Sequence, residues 1–165
     1  MLSRISNRLN SITEAVCSIF LLAMTLTVAL QVICRYVLGA ALTWSEEFAR
    51  YGLVWISFLG GAIAVKRGAH MGVEALVNAV SPKTRRTLQL VTLLAVMGFL
   101  FIAAIKGIQL ALFNMNQQSP AMGVPMGAVY LAIPTGCLSM LVHTSAELIA
   151  LLRASSPEEL EEAID

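Results

Sequence analysis

The sequence predicts an all-α, polytopic membrane protein with four transmembrane helices and a short cytoplasmic amphipathic helix between the second and third. Three observations carry that reading. The 165 residues are 58% hydrophobic and only 13% charged, with a mean hydropathy of +0.78, whereas soluble domains are about one quarter charged. A hydrocarbon core about 30 Å thick takes roughly 20 apolar residues of helix, and four stretches meet that length, at 15–34, 47–65, 88–113 and 126–146. Ionic side chains gather at the ends of these stretches. Around the second, Glu46, Glu47 and Arg50 stand at one end and Lys66 and Arg67 at the other.

The first span follows Arg4 and Arg8. Its apolar run is too long for a signal peptide and lacks a small-residue cleavage site, so it is read as a retained helix. Thr43, followed three residues later by Glu46, is a capping-box pattern that opens the second helix before the membrane begins. Glu46 and Glu47 precede Arg50 by four and three residues, the spacing at which opposite charges meet on a helix. An exposed pair of this kind contributes only about 0.2–0.5 kcal/mol, so its value rests on burial or on a partner. Within the span, Ser57 with Gly61 and Gly60 with Ala64 form small-xxx-small pairs, which predict a closely packed central helix.

Gly68 ends that helix, and Val73, Leu76, Val77 and Val80 then recur at helical spacing, predicting the amphipathic segment in the cytoplasmic interface. Ser81 and Pro82 are an N-cap and first-turn pair, with Lys83, Arg85 and Arg86 holding the inner end of the third span at the headgroups. No charge separates the third span from the fourth. Asn114, Asn116, Gln117, Gln118, Ser119, Pro120, Gly123 and Pro125 do so instead, because amides, proline and glycine are turn material. The fourth span is placed with Pro125 in its first turn, where a missing N–H costs nothing. Pro134, near Gly136, predicts a kink or local unwinding inside it.

Residues 1–152 form one four-helix membrane domain, followed by an acidic tail at 153–165, where Ser156 and Pro157 open a short helix carrying Glu158 and Glu159. Orientation follows from the bases. With the N-terminus inside, Arg4, Arg8, Lys66, Arg67, Lys83, Arg85, Arg86 and Arg153 lie on the cytoplasmic side against Arg35 and Arg50 outside, so both termini are expected in the cytoplasm. Lys106 is left over in the outer part of the third span. It is expected either to snorkel outward or to meet Glu46 or Glu47 from the neighbouring second span.

Catalytic chemistry is sparse. The net charge of +1 gives no footprint for nucleic acid, and Cys17, Cys34 and Cys137 are read as small packing residues. His70 and His143 are isolated histidines at the inner edge, read as anchors; a pair of haem ligands is the alternative. No acid lies at mid-depth, as an independent carrier would want, and Glu14 is read as interfacial. The chain is therefore expected to be neither an enzyme nor a carrier acting alone. A self-contained four-helix protein, either a small exporter or a haem-bearing electron carrier, stands as the alternative.

Arg35, Tyr36, Val37, Leu38 and Gly39, then Trp44, Glu46, Glu47, Ala49, Arg50, Tyr51, Val54 and Trp55, then Phe58, Leu59, Gly60 and Ala64, then Gly68, His70, Val73 and Leu76, form an ordered series. With Gln118, Ser119, Pro120, Ala121, Pro125, Met126, Tyr130, Ile133, Pro134 and Gly136, it resembles the small membrane subunit of tripartite ATP-independent periplasmic (TRAP) transporters, the DctQ-like family. The resemblance implies a non-catalytic subunit in a bacterial or archaeal inner membrane, a separate chain ending in its acidic tail. Its implied partners are membrane lipid, a large elevator-type permease and a periplasmic binding protein that captures an organic acid or similar small solute. No cofactor is expected in this subunit, and the coupling sodium is expected in the large one. Arg35, Tyr36, Trp44, Glu46, Glu47, Arg50, Trp55, Gly60, Gly61, His70, Lys106, Ser119, Pro120, Pro125 and Pro134 are the candidate structural or partner-contact residues.

Overall fold

Four helices long and apolar enough to cross a membrane make up the computed structural model, which describes residues 2–67 and 82–153. They are α1 (Leu2–Tyr36), α2 (Thr43–Lys66), α3 (Pro82–Phe113) and a fourth span divided into α4 (Met126–Tyr130) and α5 (Ala132–Arg153). The expected amphipathic helix, His70 and the acidic tail from 154 onward lie outside the described residues.

The helices stand side by side in the order α1, α2, α5, α3, so that the fourth span separates the second from the third. Lipid tails supply no hydrophobic drive between helices, so close backbone approach and hydrogen bonding must hold these seams. Three glycines make the approach possible at two of them. A Cβ on Gly136 would lie 2.7 Å from Phe58 Cβ and 2.8 Å from the Phe58 carbonyl oxygen, so the backbones of α5 and α2 nearly touch there. On the other flank, a Cβ on Gly107 would meet Ile133 and Pro134 at 2.8 and 2.9 Å, and one on Gly127 would run into the Ala111 carbonyl oxygen. Leu100, Ala104 and Cys137 form the small buried core between α3 and α5.

The predicted disturbance at Pro134 is present. The hydrogen-bond ladder of the fourth span loses a rung between α4 and α5: Pro134 is buried in the first turn of α5, while Leu131 keeps helical dihedrals and its N–H still donates to the Gly127 carbonyl at 3.0 Å. A proline cannot donate to the preceding turn and crowds the carbonyl four residues back, here Tyr130, the last residue of α4. Pro125 sits at the N-cap of α4 rather than in its first turn.

The small-residue face of α2 divides. A Cβ on Gly61 would meet the Met140 methyl at 2.7 Å, as expected of a packed seam, but one on Gly60 would meet nothing within 4 Å. Gly60 is turned away from the subunit's own helices. The capping box at Thr43 is not formed: Leu42 is the N-cap without a side-chain bond, and Ser45 Oγ donates instead to the Leu42 carbonyl at 2.6 Å. Ser45 is fully buried, and its hydroxyl satisfies itself on that carbonyl; it does not replace the acceptor that a Thr43 cap would have offered to the first free N–H groups.

At the end of the bundle that carries the N-terminus, Arg67 at the close of α2 forms an ion pair with Glu14 of α1 at 2.8 Å, and Asn10 Nδ2 donates to the same carboxylate oxygen at 2.9 Å. Ser6 Oγ lies 2.7 Å from His143 Nδ1, both residues being buried. These two contacts tie the N-terminal part of α1 to α2 and α5.

Candidate functional site: an outer loop held by a carboxylate

The segment between α3 and α4 is a compact turn rather than a slack connection. Ser119 N donates to the Val124 carbonyl at 2.9 Å, Gly123 N to the Ser119 carbonyl at 3.1 Å, and Val124 N to Ser119 Oγ at 3.2 Å. Gly123 has φ +64°, a left-handed conformation that a side chain would strain. Met126 N reaches back to the Gln117 carbonyl at 2.7 Å and Gly127 N to that of Asn114 at 3.1 Å, which closes the base of the turn.

This turn leaves two backbone donors pointing at α2. Ala121 N donates to Glu47 Oε1 at 3.1 Å and Met122 N to Glu47 Oε2 at 3.0 Å. Each carboxylate oxygen thus takes one N–H, a charge-assisted arrangement stronger than neutral pairing. Glu47 is only 8% exposed, although its neighbour Glu46 is open to solvent. The loop between α3 and α4 is therefore fixed to the second span by one side chain. Beneath it, Met122 and Val124 close over Phe48, Tyr51 and Trp55 of α2 and Phe20 of α1, around a cavity of about 330 Å³.

Several expected contacts are replaced by others. No ion pair joins Glu46 or Glu47 to Arg50 among the described residues, because Glu47 faces the loop and Glu46 Oε1 accepts from Gln31 Nε2 of α1 at 3.2 Å. Lys106 meets neither acid. The fourth span stands between α2 and α3, and Lys106 Nζ donates to Gln109 Oε1 at 3.1 Å on its own helix.

The other candidates fall into two groups. Ser119 is buried and organises the turn, Trp55 lines the cavity, and Pro134 and Gly61 belong to helix seams. Arg35, Tyr36, Trp44, Arg50, Pro120 and Pro125 are exposed at or near the loop end of the bundle, Tyr36 at 79% and Trp44 edge-on to Phe48 with ring centroids 6.4 Å apart. Sequence reasoning missed Gln31, Gly107, Gly127 and the seam role of Gly136. Gln31, an amide near the end of an otherwise apolar span, was the one with a visible signal. Among the described residues, no group of three or more His, Cys, Asp or Glu is placed to hold a metal ion.

Residues 24–154 match the family model described as tripartite ATP-independent periplasmic transporters, DctQ component. A Haemophilus influenzae protein assigned as a TRAP transporter small permease is 31% identical over 134 residues, covering 80% of this chain and 82% of that protein. The C4-dicarboxylate TRAP transporter small permease protein DctQ of Rhodobacter capsulatus is 35% identical over 100 residues, 59% of this chain and 44% of that protein. The isethionate TRAP transporter permease protein DctMQ of Oleidesulfovibrio alaskensis is 26% identical over 144 residues, 81% of this chain but 22% of that longer protein.

Proposed function

The chain belongs to the DctQ component family of tripartite ATP-independent periplasmic transporters, and from that premise we propose that it is the small membrane subunit supporting a large permease and a periplasmic binding protein in solute uptake. It is a multi-pass membrane protein and a non-catalytic component of transport. The solute is an organic acid or similar small molecule, sodium binds the large subunit, and that subunit moves as an elevator against a stationary part to which this chain is bound. The similarity to a longer permease protein, DctMQ, supports a large partner.

The observation that carries this role is the Glu47-held loop. A scaffold that meets a soluble protein at the membrane surface needs a fixed outer face, and bonding two loop amides to a buried carboxylate on a spanning helix supplies one. Around it stand the exposed Arg35, Trp44, Glu46, Arg50 and Pro120. Charged groups at such a rim steer encounter more than they add affinity.

Deleting this chain while the large permease and binding protein are kept is expected to abolish uptake, and tagged wild-type chain is expected to recover the large subunit from gently solubilised membranes. Full uptake without the chain, or no recovery of a permease, would refute the assignment.

The proposed orientation has its own check. In a cysteine-free background, Asn116→Cys is expected to react with an impermeant maleimide from the periplasm and Lys83→Cys only after the cells are opened. The reverse pattern would invert the topology.

A further inference from the structure

The third span buries one narrow stripe and leaves its opposite side bare. Leu93, Leu100, Ala104, Gly107 and Ala111 are buried, and at 100° per residue they share one face of α3, toward the fourth span. Ala95, Gly98, Ile102, Lys106 and Gln109 are exposed and fall diametrically across the helix from them. The same side carries the exposed Val91, Ile102 and Phe113, and between them it differs from the flank beside it, where Leu94, Phe101, Ile105, Ile108 and Leu112 present the large apolar side chains usual against acyl tails. It is small at Ala95 and Gly98, and a Cβ on Gly98 would meet nothing within 4 Å. It is polar at Lys106 and Gln109, whose side chains bond each other at 3.1 Å.

Depth decides how that ammonium is to be read. Lys106 lies seven residues before the end of α3 at Phe113, about 10 Å along the axis at 1.5 Å per residue. Gln109 accepts one hydrogen bond from the ammonium, and no carboxylate pairs with it among the described residues. A lysine costs about 2.5–3.5 kcal/mol at the bilayer centre and less toward the interface, and charged residues within a span face a partner or a polar cavity or snorkel outward. The small residues Gly98 and Ala95, about two and three turns deeper, let a second helix come near enough to bring an anion to it.

We propose that the Ala95, Gly98, Ile102, Lys106 and Gln109 stripe of α3 is the face on which a membrane-spanning helix of the large permease seats, presenting a carboxylate to Lys106. The inference rests on the assignment of this chain as a small TRAP subunit. Charge complementarity selects the occupant: the stripe offers a cation with an amide beside it, and the facing helix answers with an acid. Gln109 holds the ammonium along the helix surface, and Gly98 sets the crossing point below it.

The complete complex provides the test. A photoreactive benzoylphenylalanine at Ile102, where the side chain is already large and exposed, is expected to cross-link to the large subunit. In parallel, Lys106→Arg is expected to keep recovery of the large subunit within about twofold of wild type, Lys106→Met to lower it several-fold, and Lys106→Glu to lower it at least tenfold, as removal or reversal of one partner of a buried charge pair does. Equal membrane levels of the three variants, read by immunoblot, show that insertion is unaffected. Cross-linking of Ile102 to lipid alone, or unchanged recovery with Lys106→Met and Lys106→Glu, overturns the proposal and assigns Lys106 to the headgroup region. If wild-type chain recovers no permease at all, the subunit assignment falls and this face falls with it; recovery without the cross-link removes the face alone.

Discussion

Gly136→Leu is expected to prevent the two halves of the subunit from joining. Even one carbon at that position would sit 2.7 Å from Phe58 Cβ and 2.8 Å from the Phe58 carbonyl oxygen, well inside van der Waals contact. Part of the obstruction is backbone, which cannot swing aside as the end of a side chain can. Overpacking typically costs 1–3 kcal/mol, and at a backbone seam the upper end, about 3 kcal/mol, is the expected penalty for leucine. The measurement is recovery of monodisperse protein from detergent, with the midpoint of thermal aggregation as a second readout. Gly60→Leu is the control, because the space beside Gly60 is open, and it is expected to leave both readouts near wild type. Similar behaviour of the two variants would show that the α2–α5 seam tolerates separation.

A comparably large effect is expected of Glu47→Leu. It leaves the amides of Ala121 and Met122 without their acceptor while the turn that aims them at α2 is still intact. Ala121 is exposed and Met122 half-buried, so the freed donors can turn to water, and the turn is expected to detach toward it. Amide exchange in a peptide spanning 117–125 is expected to accelerate by roughly tenfold or more, and uptake is expected to fall in step if the loop forms the outer face. Glu47→Gln, with one carbonyl oxygen left to accept, should lie between leucine and wild type. Glu46→Gln should scarcely change exchange in that peptide, because Glu46 bonds Gln31 on α1 instead. Unaltered protection in Glu47→Leu would mean that the turn's internal bonds suffice.

Helix number and position were legible from composition because the bilayer imposes a length that few residues violate. The break near Pro134 was legible for a similar reason, since one missing N–H has a local consequence whatever surrounds it. Lateral order was not. Adjacent spans in sequence suggested that α2 and α3 are neighbours, and the pairing of Lys106 with Glu46 or Glu47 followed from that suggestion. Insertion of the fourth span between them removed it. Glu46, Glu47 and Arg50 had the right spacing for an ion pair on one helix, but a surface pair is weak and two backbone amides compete better for a buried carboxylate. Such competition depends on a loop more than 70 residues away in sequence, which no local pattern displays. Gly60 and Gly61 looked equivalent in sequence; only the position of Met140 distinguishes them.

The arrangement α1, α2, α5, α3 also sets a timetable for biogenesis. The first two spans can leave the insertion machinery as one hairpin and the last two as another, but the seam between the hairpins needs Phe58 from the first and Gly136 from the second. Glu47 is in place once the second span inserts and waits there until Ala121 and Met122 have been synthesised, 74 and 75 residues later. During that interval the carboxylate is hydrated and α2 has no partner on its α5 face. A nascent chain stalled before the fourth span would therefore display an unpaired helix face to the membrane's quality-control proteases, and that exposure ends only when Gly136 of α5 packs against Phe58.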